Sequence, residues 1–300
     1  MKSETPCPLC GEAARNHPLY STRDTKTSSK KTWNAVRCGN CSLVFLSPPA
    51  SAEELKTLFE SDSGYYKSDE RQVAACLKRI NKFPKGNLLD IGCGTGSFIA
   101  AAAKAGWEVK GVEVSGAAGN PYSMPIAYGD FIFLELPKKH YDVITLWGVT
   151  EYIGKPAEYF NKIRELLKDT GVVVLTAGNF DSIQRALMKV SNFPRQQVVW
   201  NRKSMDYLFS KTGFKLADID YRNDVRSGRP TEFLTFCFKR YFLGRDLQTI
   251  HREHNNSGQE IPFWMLPVKI LDRLVTLPLS ALLSLVKYNG IMNITAAKKP

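Results

Sequence analysis

No run of hydrophobic residues in this sequence is long enough to span a lipid bilayer, and its first residues contain no apolar stretch typical of a secretory signal. The longest uncharged segment towards the end, residues 274–286, falls short of the roughly 20 residues that a membrane helix needs, and Pro278 interrupts it. Compositional bias is also absent, since 43% of the 300 residues are hydrophobic and 23% are charged. This composition excludes a fully disordered chain and a fibrous repeat. We therefore expect a cytoplasmic protein with one large globular domain or two modest ones.

Basic residues outnumber acidic ones, with 41 Lys and Arg against 29 Asp and Glu and a net charge of +12. The excess is not uniform, because residues 51–184 carry 15 basic and 17 acidic side chains, whereas residues 222–300 carry 12 and 6. A positive excess favours nucleic acid, phosphorylated small molecules or an acidic membrane as partners. Since the flanking segments hold the charge, we expect a small, anionic acceptor molecule there, with nucleic acid as a less favoured partner.

Four of the seven cysteines form two C-x-x-C pairs, Cys7 with Cys10 and Cys38 with Cys41. Two such pairs are typical of a closed tetrahedral Zn2+ site that stabilises a zinc ribbon, which we assign to residues 1–48. Disulfides or free thiols are the alternative, and a reducing compartment disfavours disulfides. Because protein thiols fill all four positions, the predicted metal is structural.

The segment after residue 86 predicts a nucleotide-binding unit. A short apolar strand ends at Asp90 and Ile91, and the turn after it contains Gly92, Cys93, Gly94 and Gly96. A helix over 97–105 and a strand over 107–114 follow. Glycines in such a turn let the backbone approach a ligand at the start of a helix, and an acid at the end of the second strand can accept both hydroxyls of a ribose. Glu113 stands at that position.

These motifs resemble class I S-adenosylmethionine-dependent methyltransferases. The resemblance is carried by L-L-D-I-G-C-G-T-G at 88–96, G-V-E-V-S at 111–115, Y-G-D-F at 128–131 and Y-D-V-I-T-L-W at 141–147. It implies S-adenosylmethionine as cofactor, with Asp130 near the adenine amino group and Phe131 and Trp147 also in the cofactor site. It further implies an α/β fold with a Rossmann-like, seven-stranded methyltransferase sheet.

The resemblance implies a division of the chain into segments. A helical lead-in covers 49–85, the methyltransferase core covers 86–224 with a basic cap at 185–212, a helical insertion covers 225–288, and the last core strand lies in 289–300. In the cap, Arg195 and Arg202 can meet an anionic acceptor, or they can belong to a solvated helical face. In the insertion we predict a helix over 231–242 and two apolar helical pieces split by Pro278. The apolar tract 262–288 can pack on the core, form a homodimer, or make a peripheral contact with the inner face of a membrane.

After strand four the family commonly has D-V-L-E-H, whereas this chain has G-V-T-E-Y at 148–152. Tyr152 replaces a histidine that would be an obvious base, so Tyr152 and Glu151 are our candidate catalytic residues. Each has an alternative role: Tyr152 as an aromatic wall of the site, and Glu151 as a hydrogen-bond partner of the backbone. Asp90 is counted among the cofactor-binding residues and is expected to hold the glycine turn by hydrogen bonds.

The N-terminal ribbon also resembles a bacterial branch of small-molecule methyltransferases, often linked to sugar, lipid or quinone modification. We therefore expect methyl transfer to a small acceptor of the sugar, lipid-linked or quinone type. An RNA methyltransferase is the first alternative, although no N-P-P-Y-like sequence follows strand four. A cofactor-binding scaffold without catalysis is the second.

Overall fold

The computed structural model describes residues 5–23, 31–51, 53–55, 57, 70–183, 185, 193–225, 233–244 and 266–299. Parts of the predicted lead-in, cap and insertion lie outside these residues. The described strands form two sheets. In chain order they are β1 Asn16–Thr22, β2 Trp33–Cys38, β3 Val44–Ser47, β4 Asn87–Ile91, β5 Glu108–Glu113, β6 Ile126–Tyr128, β7 Tyr141–Leu146, β8 Leu167–Gly178, β9 Val198–Val199, β10 Phe214–Asp220 and β11 Ile291–Lys298.

The larger sheet has seven strands in the order β10-β11-β8-β7-β4-β5-β6. The five strands from β8 to β6 run parallel, and β11 lies antiparallel between β8 and β10. Continuous apolar runs form the central strands because both faces of a parallel sheet are covered. The predicted seven-stranded, Rossmann-like α/β sheet is therefore confirmed.

Helices cover both faces of this sheet. They are α1 Glu70–Ile80, α2 Ser97–Lys104, α3 Pro156–Leu166 and α4 Arg202–Lys211. On one face, Phe98 and Ile99 of α2 pack against Leu88 and Val143. On the other face, residues of α3 and α4 share a buried cluster with the opposite side of the same strands. Local sequence starts two of these helices: α3 begins with a proline, and Asn201 and Ser204 form a reciprocal capping box at α4.

The N-terminal ribbon does not stand apart from the core. Its sheet has the order β1-β2-β3-β9, so the short strand β9, which precedes α4, completes it. Asn201 Nδ2 donates to the carbonyl of Ser42, and Lys211 Nζ donates to the carbonyl of Leu9. Buried ribbon residues that include Cys38, Leu43 and Phe45 belong to one apolar cluster with the fully buried Trp200 and the central sheet. The ribbon and the core therefore share one hydrophobic core.

The described part of the predicted cap is largely an internal element. Arg195 is only 5% exposed, and Phe193 and Trp200 are buried. Arg202 lies at the surface, but its guanidinium pairs with Asp206 one helical turn later, at 2.7 Å. In this arrangement neither arginine presents an unpaired charge to an acceptor.

The C-terminal insertion contributes two helices to the described residues. Helix α5, Phe233–Cys237, continues as a π-helical turn over Phe238–Phe242, in agreement with the helix predicted over 231–242. Helix α6, Leu266–Leu285, runs through Pro278, so the prediction of two separate pieces was wrong. Packing overrides the loss of one backbone hydrogen bond because contacts anchor both halves of α6: Asp272 accepts from the amides of α5, and Ser284 donates to the carbonyl of Tyr221. No helix among the described residues is both long and apolar enough to cross a membrane.

Candidate functional site

The glycine turn joins β4 to α2 at the carboxyl edge of the sheet. Gly92 has a φ of +73°, and a Cβ atom there would lie 2.4 Å from Cγ2 of Val149, so only glycine fits. The amides of Gly92 and Cys93 donate to the carbonyl of Val112, at 2.8 and 3.1 Å, which fixes the turn to β5. The turn is therefore held by β5 on one side and closely bordered by the loop after β7 on the other.

Glu113, at the end of β5, is buried beside this turn. Its Oε2 accepts from the amide of Gly94 at 2.8 Å, and its Oε1 accepts from the amide of Val114 at 2.9 Å. Burial raises the pKa of this carboxyl, and the backbone amides oppose that shift in part. The sequence-predicted acid and the glycine turn thus meet, and Glu113 itself holds the turn in place.

Asp90 is buried beneath the turn and is bonded elsewhere than we predicted. Its Oδ1 accepts from the hydroxyl of Thr145 on β7 at 2.6 Å. Among the bonds found within the described residues, none joins Asp90 to the glycine turn. Burial raises the pKa of Asp90 to about 8. Burial also raises the pKa of the neighbouring Cys93 thiol, and the carboxylates of Asp90 and Glu113 raise it further, so Cys93 is a neutral thiol.

Trp147, the first residue after β7, faces α2. Its ring meets Phe98 edge-on, with centroids 5.5 Å apart and planes at 77°. Its indole Nε1 is buried and has no hydrogen-bond partner within the described part of the chain. A buried indole donor is normally satisfied, so this atom is suited to a ligand.

Asp130 and Phe131 follow β6 and lie in different environments. The exposed Asp130 accepts from the hydroxyl of Tyr159 at 2.6 Å and from the amide of Ile132 at 3.1 Å. Burial, followed by the carboxylate of Asp130, raises the pKa of Tyr159. Phe131 is buried, and its ring lies 5.3 Å from that of Tyr159. The Phe131 side chain is therefore part of the core.

Glu151 and Tyr152 lie in a single 3-10 turn, Thr150–Tyr152. Glu151 is completely buried; its Oε1 accepts from the amide of Gly178 at 2.8 Å, and its Oε2 accepts from the hydroxyl of Thr150 at 3.1 Å. The amide of Gln197 donates to the carbonyl of Glu151 at 2.7 Å. These contacts join the loop after β7 to the end of β8 and to the segment before β9. They match the alternative role of Glu151 as a partner of the backbone, while Tyr152 in the same turn is half-buried.

Sequence reasoning missed the threonines that hold this edge. The hydroxyl of Thr145 donates to Asp90, and Thr176 Oγ1 accepts from the amide of Gly148 at 2.8 Å. The carbonyl of Thr176 accepts from Thr150. Thr145 and Thr176 each place a single hydroxyl within an apolar run of a strand. This pattern is the one local signal in the sequence that could have identified these two residues.

The four predicted metal ligands lie together in the ribbon. The Sγ atoms of Cys7, Cys10, Cys38 and Cys41 all lie within 4.8 Å of one another, with Cys7–Cys41 at 3.5 Å and Cys10–Cys38 at 3.4 Å. Zn–S bonds of about 2.3 Å in a tetrahedron place sulfurs about 3.8 Å apart, so the cluster fits one ion. All four are free thiols, which sets the disulfide alternative aside. These cysteines can therefore hold a structural Zn2+.

The second Cys-x-x-Cys turn depends on a glycine. A Cβ atom on Gly39 would lie 2.4 Å from the carbonyl oxygen of Arg15, whose carbonyl accepts from the Gly39 amide at 2.8 Å. This close approach fixes the turn against the start of β1. The first turn is closed by a hydrogen bond from the Gly11 amide to the carbonyl of Cys7.

Comparison with known proteins places the chain in a family. Residues 65–219, more than half of the chain, match the family described as "Methyltransferase domain". The fold is similar to that of a SAM-dependent methyltransferase from Archaeoglobus fulgidus, with 16% identity, a TM-score of 0.52, and coverage of 81% of this chain and 99% of that one.

The chain is also similar to phosphoethanolamine N-methyltransferase 2 from Haemonchus contortus in complex with S-adenosyl-L-methionine, with 22% identity, a TM-score of 0.45, and coverage of 76% of this chain and 52% of that one. No curated protein sequence matches. Because the family match spans the glycine turn, Glu113 and the parallel strands that carry them, the chain belongs to the methyltransferase-domain family and is a class I S-adenosylmethionine-dependent methyltransferase.

Proposed function

We propose that the enzyme methylates a small acceptor that carries negative charge or is linked to a lipid, in preference to RNA. The observation that carries this proposal is that several described basic residues of the ribbon and cap already have partners within the chain. Arg15 pairs with Glu12 at 2.8 Å, Arg37 pairs with Asp181 at 2.7 Å, and Lys211 donates to a backbone carbonyl. RNA binding needs several cations free to meet phosphates.

The remaining positive excess belongs to the C-terminal part of the chain, where residues 222–300 carry 12 basic and 6 acidic side chains. This part meets the carboxyl edge of the sheet directly. Asn179, the first residue after β8, donates to the carbonyl of Asn289 at 2.9 Å, and its amide donates to the carbonyl of Gly290 at 2.8 Å. An anionic acceptor at this edge would therefore lie beside a part of the chain with a positive excess.

Two features of the structure fit S-adenosylmethionine. Gly92, Gly94 and Gly96 all have positive φ, so the turn brings backbone without side chains to the start of α2. The Trp147 Nε1 donor is buried without a partner among the described residues. In our proposal Glu113 accepts the ribose hydroxyls and Trp147 lies against the cofactor. Asp90 supports this site from below through Thr145 and has no direct contact with the ligand.

S-adenosylmethionine supplies a methyl group on a positively charged sulfur. The task of the chain is then to align the acceptor with that methyl group and to exclude water, which can lower a barrier by about 7–11 kcal/mol in favourable cases. We assign the alignment to the turn that contains Tyr152, because Glu151 fixes this turn to β8 and to the segment before β9. Tyr152 then forms a wall of the acceptor site, and a proton released by the acceptor passes to water.

The acceptor class is tested with a labelled methyl donor and fractionated cell extract. We expect label in the lipid or small-molecule fraction, and we expect the Glu113→Gln variant to lower it in every fraction. Label that nuclease treatment releases would contradict the proposal and favour an RNA acceptor.

The cofactor role of Glu113 has its own test by calorimetry. Glu113→Gln should weaken S-adenosylmethionine binding by about 10- to 150-fold, because one hydrogen bond to a charged group contributes about 1.5–3 kcal/mol. The matched control is Glu108→Gln, at the exposed start of the same strand. Unchanged affinity in the Glu113 variant would remove this residue from the cofactor site.

A further inference from the structure

Lys162 on helix α3 places its ammonium group among backbone carbonyls of the loop that follows β6. Its Nζ donates to the carbonyls of Phe131, Ile132 and Leu134, at 2.7, 2.8 and 2.5 Å. The ammonium also lies 5.1 Å from the centre of the Phe131 ring. An ammonium group has three N–H donors, and three carbonyl acceptors match that number. Lys162 therefore fixes this loop to α3.

Tyr159, one turn earlier on α3, holds Asp130 at the start of the same loop. Its hydroxyl donates to Oδ1 of Asp130 at 2.6 Å, and the amide of Ile132 donates to the same oxygen at 3.1 Å. The Tyr159 ring also packs against the ring of Phe131, with centroids 5.3 Å apart. Residues three positions apart on a helix lie on one face, so Tyr159 and Lys162 hold the loop together. We call these two residues the α3 clamp.

The α3 clamp determines where the carboxylate of Asp130 lies. An exposed carboxylate without such bonds would sample several rotamers. The bonds found for Asp130 within the described residues both go to Oδ1, and this leaves Oδ2 as an acceptor. Burial lowers the pKa of Lys162, and the nearby carboxylates of Asp130 and Glu165 oppose that shift. The clamp thus holds an anionic acceptor in one orientation at the surface.

Asp130 lies next to the proposed ribose site. Strands β5 and β6 are parallel neighbours with Glu113 opposite Tyr128, and the amide of Gly129 donates to the carbonyl of Glu113 at 2.9 Å. The glycine turn follows β4, on the other side of β5. With the ribose at Glu113 and the amino-acid part of the cofactor at the glycine turn, the adenine base extends towards the loop after β6. The exocyclic amino group of adenine is a donor and then meets the carboxylate of Asp130.

We propose that Tyr159 and Lys162 are positioning residues that make the enzyme selective for the adenine base of its methyl donor. The α3 clamp has no contact with the cofactor; it orients Asp130, and Asp130 accepts from the amino group. This inference rests on the proposed placement of the ribose at Glu113. The motif at 128–131 indicates the acid alone, whereas Tyr159 lies 29 positions later on a separate helix.

Calorimetry with two ligands tests this selectivity. S-adenosylhomocysteine, the demethylated product, carries the amino group, whereas S-inosylhomocysteine carries a carbonyl oxygen in its place. We expect the wild type to bind the adenosyl ligand at least about tenfold more tightly, because the Asp130 carboxylate attracts the amino group and repels the carbonyl oxygen. Asp130→Asn should reduce this ratio to within about threefold, because an amide can donate as well as accept.

Tyr159→Phe removes the bond to Asp130 and keeps the ring beside Phe131. Because ordering a free side chain on binding is costly, the adenosyl ligand should lose about 2- to 12-fold in affinity. The inosyl ligand should stay within about twofold of wild type, so the ratio falls. The matched control is Tyr20→Phe, at a half-buried tyrosine of β1, and it should leave the ratio unchanged.

Lys162→Met should lower the same ratio, because it releases the loop that carries Asp130. Its matched control is Lys155→Met, at the exposed start of α3. Thermal unfolding reports whether each variant folds, and Tyr159→Phe keeps the test decisive if Lys162→Met does not fold. A wild-type ratio near one, or a wild-type ratio in Tyr159→Phe, would overturn the inference. An equal loss for both ligands in Tyr159→Phe would also overturn it, because a purely structural role has that effect.

Glu113→Gln distinguishes a failure of this inference from a failure of the cofactor site. It should weaken both ligands equally, because both carry the ribose, and this result supports the ribose site even if the clamp variants keep the wild-type ratio. Unchanged binding of both ligands by Glu113→Gln would contradict the ribose site. In that case the ratio measured for Tyr159→Phe still decides for or against the α3 clamp.

Discussion

The role of Glu151 can be decided by two substitutions at one position. A general base would lose its function in Glu151→Gln, because the amide cannot take a proton, and such losses typically reach 10²- to 10⁴-fold in kcat. A residue that positions the loop after β7 would keep most of its function in the same variant. The amide oxygen can still accept from Gly178, and the side-chain volume is unchanged.

Glu151→Ala, unlike Glu151→Gln, removes the side-chain acceptor altogether. It leaves the amide of Gly178 without its carboxylate acceptor in a fully buried place, while the hydroxyl of Thr150 can still donate to the carbonyl of Thr176. One unsatisfied buried group costs about 1–3 kcal/mol, so we expect a loss of about that size in the free energy of unfolding. At about 2–4 °C per kcal/mol, the lower limit corresponds to a fall in Tm of about 2 °C.

The assay combines thermal unfolding with label transfer to the accepting extract fraction. We expect Glu151→Gln to keep kcat within about tenfold of wild type and Glu151→Ala to lower both Tm and kcat. Glu158→Gln, on the exposed side of α3, is the matched control and should change neither. A Glu151→Gln variant with wild-type Tm and cofactor affinity but a kcat at least 10²-fold lower would refute the positioning role and make Glu151 the base.

Two further predictions concern the metal site and the buried acid. Removal of Zn2+ by a chelator, or Cys38→Ser, should lower the Tm of the whole protein in one calorimetric transition, because Cys38 and Trp200 belong to the same buried cluster; a separate early transition would contradict this. Burial raises the pKa of Asp90 from 3.8 to about 8, so in this window the folded protein holds a proton that the unfolded chain has lost. The free energy of unfolding should therefore fall as pH rises from about 4 to about 8, by at most about 1.4 kcal/mol per pH unit, and Asp90→Asn should remove this part of the slope. Urea unfolding of the wild type and of Asp90→Asn over that pH range measures how each free energy of unfolding changes with pH. Identical slopes would contradict the raised pKa of Asp90.

Features that lie within short contiguous motifs could be predicted from the sequence. The glycine turn, Glu113 at the end of β5 and the two Cys-x-x-Cys pairs each occupy a short stretch of chain, and the structure brings their parts together. The strands of the central sheet could be predicted for a similar reason, since a buried parallel strand is a short apolar run.

Features that depend on distant partners were beyond sequence reasoning. The hydrogen bond between Asp90 and Thr145 joins residues 55 positions apart. Strand β9 has two residues and exists only because it pairs with β3. That pairing and the packing around it place Arg195 inside the protein, where a linear pattern of basic and aromatic residues had suggested a surface.

The course of α6 depends on packing as well. Pro278 correctly signals a lost hydrogen bond, but contacts on both sides of it keep the helix continuous. Sequence reasoning treated this tract as apolar and missed the row of polar residues from Asp272 to Ser284, which is bonded to α5 and to Asn289.

The arrangement of β10 and β11 bears on how such a chain can change. These strands are antiparallel neighbours, with Asp220 opposite Asn293, so residues 221–292 form in effect one enlarged hairpin connection. The entropy of closing a loop grows only with the logarithm of its length, and each doubling costs about 0.6 kcal/mol. Residues can therefore be inserted, deleted or substituted in the connection between β10 and β11 while the register of the catalytic sheet stays the same. In this design, the part of the enzyme that meets its surroundings can evolve almost independently of the part that binds the methyl donor.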